Sequence, residues 1–131
     1  MKIALLILIL MIFCHIIADY NLQGWLASAK QKEWWEKNAP DKMYKNDYKM
    51  ALFMHSFAWS FMVQLPVAIY VLYMKEFSWM QFAWFGWLII DHYYMDDRKA
   101  NYKSVNLIVD QLWHLESIGL VWIGCVLSIV L

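Results

Sequence analysis

Four long apolar runs constrain how this chain can fold. They cover about residues 3–26, 50–74, 78–97 and 105–131, and the third is the shortest. A helix needs about 20 apolar residues to cross a bilayer, and each run is near that length. The chain has 131 residues, of which 63% are hydrophobic, too many for a soluble domain of this size. The sequence therefore predicts an all-α, polytopic membrane protein, a four-transmembrane-helix bundle that forms a single domain over residues 1–131.

The placement of basic residues between these runs predicts the orientation. Six lysines lie in the segment 27–49, between the first and second runs, and three basic residues lie between the third and fourth. Only Lys2 and Lys75 fall on the other side. Because positively charged loops stay in the cytoplasm, we expect a cytoplasmic loop at 27–49 and both termini outside, in a multi-pass inner-membrane protein. Acidic residues interrupt the lysines, so no basic patch favours nucleic acid as a partner.

Histidine and aspartate recur one helical turn apart inside the apolar runs. The pairs are His15–Asp19, His92–Asp96 and, in reverse order, Asp110–His114. Residues four apart on a helix share one face. The remaining histidine, His55, also lies in an apolar run. Ionisable side chains inside membrane helices are costly and usually mark function, so these positions predict a functional centre.

The predicted topology places all of these side chains in the cytoplasmic halves of their helices. At 1.5 Å per residue they lie about 5–15 Å from the cytoplasmic boundary, so four helices can enclose one polar cavity. Imidazoles and carboxylates suit a divalent metal ion such as zinc, manganese or iron, with ligands enough for two ions. We predict metal ligands at His15, Asp19, His55, His92, Asp96, Asp110 and His114. One of the carboxylates Asp19, Asp96 and Asp110 could instead be the catalytic base.

Polar residues at the cytoplasmic ends of the same helix faces predict a substrate site. On a regular helical wheel His15, Asp19 and Lys30 fall within about 60°, on a first helix that extends past Leu26. Lys30 and Lys99 are placed to hold a phosphate or another anion. Gln23 and Asn106 continue the same polar stripes. The pattern favours a metal-dependent hydrolase that acts on a lipid-linked or phosphate-ester substrate, with the bilayer itself as a partner.

Three alternatives use the same cluster. A metal-ion or proton transporter would need a polar path to the outer face, where the helices offer only Gln64, Glu116 and a few serines. A b-type cytochrome with two histidine ligands would not need the paired aspartates. A binding or scaffold protein could use the cluster only to fix helix packing.

Two further carboxylates lie away from the predicted centre. Asp91 points about 100° from His92, and it is expected to bind a second ion or to pair with Arg98 or another cation. Glu116 lies on the opposite face of its helix from the paired residues. It is expected either to contact another helix or subunit, which would make the protein a homo-oligomer, or to act as a functional acid.

The motif series resembles a known family. Its residues are His15-x-x-x-Asp19-Tyr20-x-Leu22-Gln23, Lys30, His55, His92-x-x-x-Asp96-x-x-Lys99 and Asp110-Gln111-x-x-His114. Over nearly the whole chain they resemble a family of small bacterial and phage integral-membrane proteins of unknown function. The pattern is more distantly similar to inner-membrane proteins assigned by inference as metal-dependent hydrolases. The first resemblance implies a helical membrane domain with a shared polar centre and brings no established activity.

Overall fold

The computed structural model describes residues 2–127, and within that range the chain forms six α-helices and no strand. The helices are α1 (Lys2–Ile16), α2 (Leu26–Ala29), α3 (Lys32–Asn38), α4 (Asp47–Met74), α5 (Trp79–Ala100) and α6 (Leu107–Trp122). π-helical turns extend α1 over Ile17–Asn21 and α6 over Ile123–Leu127, and a 3₁₀ turn precedes α4 at Lys42–Tyr44. The all-α prediction is confirmed.

The first helix ends earlier than predicted. After its π-helical turn it stops at Asn21, and Gly24 adopts a φ of 48°, a left-handed conformation that glycine reaches without a steric penalty. The chain turns there and resumes as α2. The prediction of one helix over 3–26 is therefore wrong, and Lys30 does not lie on a continuous helical face with His15. The predicted loop 27–49 also contains α3 and most of α2.

The other long helices follow the apolar runs closely. The run 50–74 corresponds to α4, which begins three residues earlier, and the run 78–97 corresponds to α5, which ends three residues later. Ser78 begins α5 with a capping box that it shares with Gln81. The run 105–131 corresponds to α6 and its π-helical turn, and residues 128–131 lie outside the described part of the chain.

The four long helices pack around one apolar core. Helix α4 contacts α1 and α5, and α6 contacts the same two helices. The core draws on all four helices and includes Ala4, Ile7, Met11, Val63, Val67, Val71, Leu88, Ile118 and Val121. Burial of such side chains contributes most of the stability of a helix bundle. The core occupies one half of the bundle, and polar side chains occupy the other.

Within residues 2–127, two stretches are long and apolar enough to cross a membrane, Lys2–Asn21 and Lys42–Met74. Helices α5 and α6 do not meet the same criterion within the described residues, and α5 carries charged residues along its C-terminal half. Helix length and composition therefore indicate membrane association for two of the four long helices.

Candidate metal centre

Each of the four long helices contributes ionisable side chains to one level of the bundle interior. The contributors are His15 on α1, Asp19 in its π-helical turn, His55 on α4, His92 and Asp96 on α5, and Asp110 and His114 on α6. None is more than 5% exposed. Charged groups are almost never buried to this extent unless they are paired or bind an ion. The predicted cluster is therefore present as a buried unit.

The imidazole of His55 lies at the centre of a first group of ligand-type atoms. Its Nε2 is 3.2 Å from Asp96 Oδ2, 3.2 Å from His92 Nε2 and 3.5 Å from Asp19 Oδ1. His92 Nε2 is in turn 3.7 Å from Asp96 Oδ2. Atoms from α4, α5 and the π-helical turn after α1 thus converge on one point.

The imidazole of His114 organises a second group. Its Nε2 is 3.3 Å from Asp110 Oδ1 and 3.8 Å from Asp96 Oδ1. These three atoms are buried, and none has a hydrogen-bond partner within residues 2–127. Because buried polar atoms are nearly always partnered, these three atoms either pair with one another through a protonated His114 or could hold a metal ion between them.

The spacing of these atoms fits a divalent metal ion. Three groups of residues offer ligand atoms that lie within 4.8 Å of one another: Asp19–His55–His92, His92–Asp96–His114 and Asp19–Asp110–His114. Ligands about 2.0–2.2 Å from a tetrahedral zinc ion lie about 3.3 Å apart. The separations of 3.2–3.8 Å given above are close to that value. Nitrogen and oxygen ligands of this kind suit zinc, manganese and iron alike.

His15 lies beside these groups rather than in them. Its Nδ1 accepts a hydrogen bond of 2.9 Å from Trp59 Nε1. Since an indole nitrogen only donates, the imidazole proton is on Nε2, which donates to Gln111 Oε1 at 3.0 Å. Both ring nitrogens are therefore occupied. The structure brings six of the seven predicted ligands together in the three groups and places His15 next to them.

Gln111 connects His15 to two of the carboxylates. Its Nε2 donates to Asp19 Oδ2 at 2.8 Å and to Asp110 Oδ2 at 3.1 Å. With the Oδ2 atoms engaged, the Oδ1 atoms of both carboxylates lie toward the histidines. Sequence reasoning did not assign this glutamine to the site. The helical wheel did contain the signal, because Gln111 lies within about 60° of His114 on α6.

Trp59 separates the polar cluster from the apolar core. Its ring stacks on His92 with centroids 4.0 Å apart and planes 14° from parallel, and it contacts His15 edge-on. It is 1% exposed. Sequence reasoning gave the aromatic residues no functional weight. Trp59 nevertheless follows His55 by four residues, the spacing that revealed the histidine–aspartate pairs.

Two lysines compensate part of the negative charge. Lys30 Nζ is 2.7 Å from Asp96 Oδ2, and Lys99 Nζ is 2.5 Å from Asp110 Oδ2. Lys30 also donates to Gln23 Oε1 at 3.0 Å. With neutral imidazoles, two lysines against three carboxylates leave one negative charge uncompensated. Either a bound cation or the protonation of one of the histidines would balance that charge.

Asn101 holds Lys30 in this position. Its side-chain amide donates to the Lys30 carbonyl at 3.1 Å and to Asp97 Oδ1 at 2.7 Å, and its Oδ1 accepts from Lys32 N at 2.6 Å. These bonds tie the link between α2 and α3 to the end of α5. Sequence reasoning missed this residue, since a single asparagine after a helix is usually only a cap.

A pocket of about 320 Å³ opens onto the cluster beside these lysines. Gln23, Lys30, Asp96, Lys99 and Lys103 contribute to its walls. Its walls include three of the four predicted substrate residues and one predicted metal ligand, Asp96. The pocket therefore connects the buried cluster to the outside at the end of the bundle where the lysines lie.

The fourth predicted substrate residue, Asn106, lies outside the pocket walls. It caps α6, and its side chain accepts a hydrogen bond of 2.9 Å from Val109 N. Caps of this kind satisfy a backbone N–H that the first helical turn would otherwise leave without a partner. In this structure Asn106 supports the helix that carries Asp110 and His114.

Asp91 has partners that the sequence did not suggest. Its Oδ1 accepts from Trp113 Nε1 at 2.9 Å, and its Oδ2 accepts from Ser117 Oγ at 2.6 Å. Of the alternatives expected for Asp91, pairing with Arg98 is not seen within residues 2–127, where Arg98 Nε donates to Ser104 Oγ at 3.1 Å. Glu116 is exposed on the surface of α6, and its contact with a second copy stays a prediction.

The fold and the cluster define an all-α protein with a buried histidine–aspartate centre of metal-binding spacing. The chain belongs to the family described as a protein of unknown function, DUF3307, which matches residues 7–130. The resemblance to a family of unknown function is thereby confirmed, and the matched range includes every residue of the cluster. No curated protein and no solved structure matches the chain.

Proposed function

We propose that this chain is a membrane-embedded, metal-dependent hydrolase that acts on a phosphate-ester or lipid-linked substrate at the cytoplasmic face of the inner membrane. One observation carries the proposal. Asp96, whose buried Oδ1 lies 3.8 Å from His114 Nε2 within a group of metal-ligand type, also lines a pocket that opens to the outside. The histidine and aspartate side chains would hold a divalent ion there, and the ion would supply Lewis-acid chemistry for attack by water.

The protein residues have distinct roles in this proposal. The three groups of histidine and aspartate ligands hold one ion or two. Asp96 belongs to one of these groups and also lines the pocket, so it is the carboxylate that lies nearest a substrate there and accepts a proton from the attacking water. Lys30 and Lys99 orient the substrate through its negative charge.

The surface of the bundle supports placement in a membrane. Large apolar side chains are exposed on all four long helices, for example Phe13 on α1, Phe61 on α4, Ile90 on α5 and Leu112 on α6. A soluble monomer rarely exposes apolar side chains on every helix of a bundle, whereas a bilayer solvates them. This pattern supports a bundle in which all four long helices span the membrane.

The segment between α1 and α4 supports a cytoplasmic orientation of the pocket. Trp25, Trp34 and Trp35 contact one another edge-on with centroids 5.1–6.0 Å apart. Tryptophan and lysine in one short segment are typical of the cytoplasmic membrane interface. Both termini then lie outside, as the charge distribution predicts.

Transport of a metal ion or proton is the alternative that uses the same cluster. A transported ion must leave the cluster toward the other face of the membrane, past Trp59. The core on that side consists of apolar side chains such as Val63, Val67 and Leu88. A cluster open at one end and closed by an apolar core at the other favours a catalytic centre over a transport path.

The test is phosphate release by the purified protein in lipid nanodiscs, with Zn²⁺, Mn²⁺ or Fe²⁺ and with phosphatidic acid or a soluble aryl phosphate as substrate. We expect metal-dependent release that Asp96→Asn lowers by at least about 100-fold, more than a residue that only supports a ligand contributes. Asp91→Asn is the matched control, because Asp91 is a carboxylate on the same helix bonded to Trp113 and Ser117. No release with any of the three ions, or equal losses in both variants, would contradict the proposal.

A further inference from the structure

The pocket above the cluster collects positive charge next to a carboxylate. Lys30, Lys99 and Lys103 line it together with Asp96. Of the three lysine side chains, that of Lys30 is 11% exposed, that of Lys99 is 32% exposed and that of Lys103 is 54% exposed. The lysines therefore form a series from the buried cluster to the outside.

The two inner lysines and a metal ion would share the same carboxylates. Lys30 binds Oδ2 of Asp96 and Lys99 binds Oδ2 of Asp110, whereas the Oδ1 atoms of both carboxylates face His114 Nε2, at 3.8 Å and 3.3 Å, and no lysine binds them within residues 2–127. A divalent ion on the Oδ1 side would draw on the carboxylate charge and weaken its attraction for each ammonium group. Metal binding in the cluster thus makes the lysines available to another anion.

The pocket fits a phosphate group as that anion. Ammonium groups bind phosphate as point charges. The Gln23 side chain also lines the walls. Asp96 in the same wall repels an anion unless a cation neutralises it. An anion is therefore expected to bind well only when the cluster holds its metal ion.

We propose that Lys30, Lys99 and Lys103 form a binding site for a phosphate group whose affinity is thermodynamically coupled to divalent metal binding in the adjacent cluster. This deepens the proposed function, on which it rests for the metal site. Coupling of this kind is reciprocal, so phosphate must strengthen metal binding by the same factor by which the metal strengthens phosphate binding. The phosphate can belong to a free ion or to a lipid headgroup, since both present the same oxyanion.

The experiment measures Mn²⁺ affinity from the electron paramagnetic resonance signal of free Mn²⁺, with the chain in phosphatidylcholine nanodiscs. Saturating inorganic phosphate should tighten Mn²⁺ binding by about 10-fold, within the range usual for coupled sites. Lys99→Met should tighten Mn²⁺ binding without phosphate and remove most of the effect of phosphate. Lys37→Met, which changes an exposed lysine of α3 outside the pocket, should behave like wild type.

Lys103→Met provides a second variant, because Lys103 is bound to neither cluster carboxylate and its loss leaves no buried charge unpaired. It should reduce the effect of phosphate and leave Mn²⁺ affinity without phosphate unchanged. A second set of nanodiscs contains phosphatidic acid and no free phosphate, and its control is a set of phosphatidylglycerol discs of equal charge. If the phosphatidic acid discs tighten Mn²⁺ binding more than the control discs do, the phosphate group belongs to a lipid headgroup. An effect of inorganic phosphate alone identifies a free anion.

The outcomes separate this inference from the proposed function. Mn²⁺ binding that neither inorganic phosphate nor phosphatidic acid strengthens would overturn the phosphate site and leave the metal site standing. If phosphate strengthens Mn²⁺ binding in Lys99→Met and in Lys103→Met as much as it does in wild type, the assignment of these lysines to the phosphate site is overturned. Absence of Mn²⁺ binding in every disc would overturn both proposals.

Discussion

Side chains are equally buried in the two halves of the bundle, but only in the polar half does burial enclose ionisable atoms that need partners. In the apolar half, side chains such as Val63 and Leu88 have no measurable exposure and no polar atoms that need partners. In the polar half, Asp96, Asp110 and His114 are just as buried, yet within the described residues each has a polar atom whose nearest charged neighbours, at 3.3–3.8 Å, are the other members of this set. A buried polar atom left without a partner costs about 1–3 kcal/mol. The apolar half therefore stabilises the fold, whereas the polar half could hold a metal ion.

The largest effect is expected where a ligand atom is removed from the polar half. His114→Ala removes Nε2 from two of the three groups of ligand atoms. Metal affinity should fall by at least about 100-fold, since even supporting residues contribute about 10–100-fold. Titration with Mn²⁺ in nanodiscs measures the change. Unchanged affinity in a variant that keeps its helical circular dichroism would place the metal elsewhere.

The opposite effect is expected in the apolar half. Leu88→Ala opens a cavity in the core and should lower the free energy of unfolding by about 2–5 kcal/mol. The affinity of the folded protein for metal should stay the same. Unfolding in mixed detergent micelles measures the first quantity, and Leu72→Ala, an exposed leucine of α4, is the control. Loss of metal affinity without loss of stability would erase the distinction between the two halves.

A smaller effect is expected at the residues that support the ligands. Gln111→Leu and His15→Ala each interrupt the hydrogen-bonded chain from Trp59 to Asp19 and Asp110. Each should weaken metal binding by about 10–100-fold, because supporting residues orient ligands without contacting the ion. Leu112→Ala, at an exposed position of α6, should have no effect. If His15→Ala weakens binding as much as His114→Ala does, then His15 is a ligand, as the sequence alone predicted.

The smallest effect is expected at Asn106. Asn106→Ala removes the cap of α6 and should lower the free energy of unfolding by about 1 kcal/mol. Metal and phosphate affinities should remain within about twofold of wild type. Asn106→Asp, which retains the capping oxygen, should recover the stability. A large loss of phosphate affinity in Asn106→Ala would instead support the substrate role that the sequence suggested.

The histidine–aspartate pairs were predictable because they depend on a single rule. His92 and Asp96 lie on one regular helix, as do Asp110 and His114, so a spacing of four residues places each pair on one face. The apolar runs locate those helices to within about three residues. Six of the seven predicted ligands consequently fall in the groups that the structure forms.

The contacts of the first run were not predictable in the same way. The π-helical turn that carries Asp19 and the turn at Gly24 both depart from a regular helical wheel. Lys30 reaches Asp96 because the chain turns at Gly24 and because Asn101 holds the segment that follows. Both features depend on the tertiary structure. The position of His15 depends on a hydrogen bond from Trp59, 44 residues away, which no local pattern encodes.

The most direct test of the metal centre is elemental analysis of the detergent-purified wild-type chain by mass spectrometry, after growth in medium supplemented with zinc, manganese or iron. We expect one or two equivalents of one of these metals per chain, retained through dialysis. Protein that is folded and contains no metal after supplementation with each ion would contradict this expectation. The buried cluster would then be a set of structural ion pairs between Lys30, Lys99 and the carboxylates of Asp96 and Asp110.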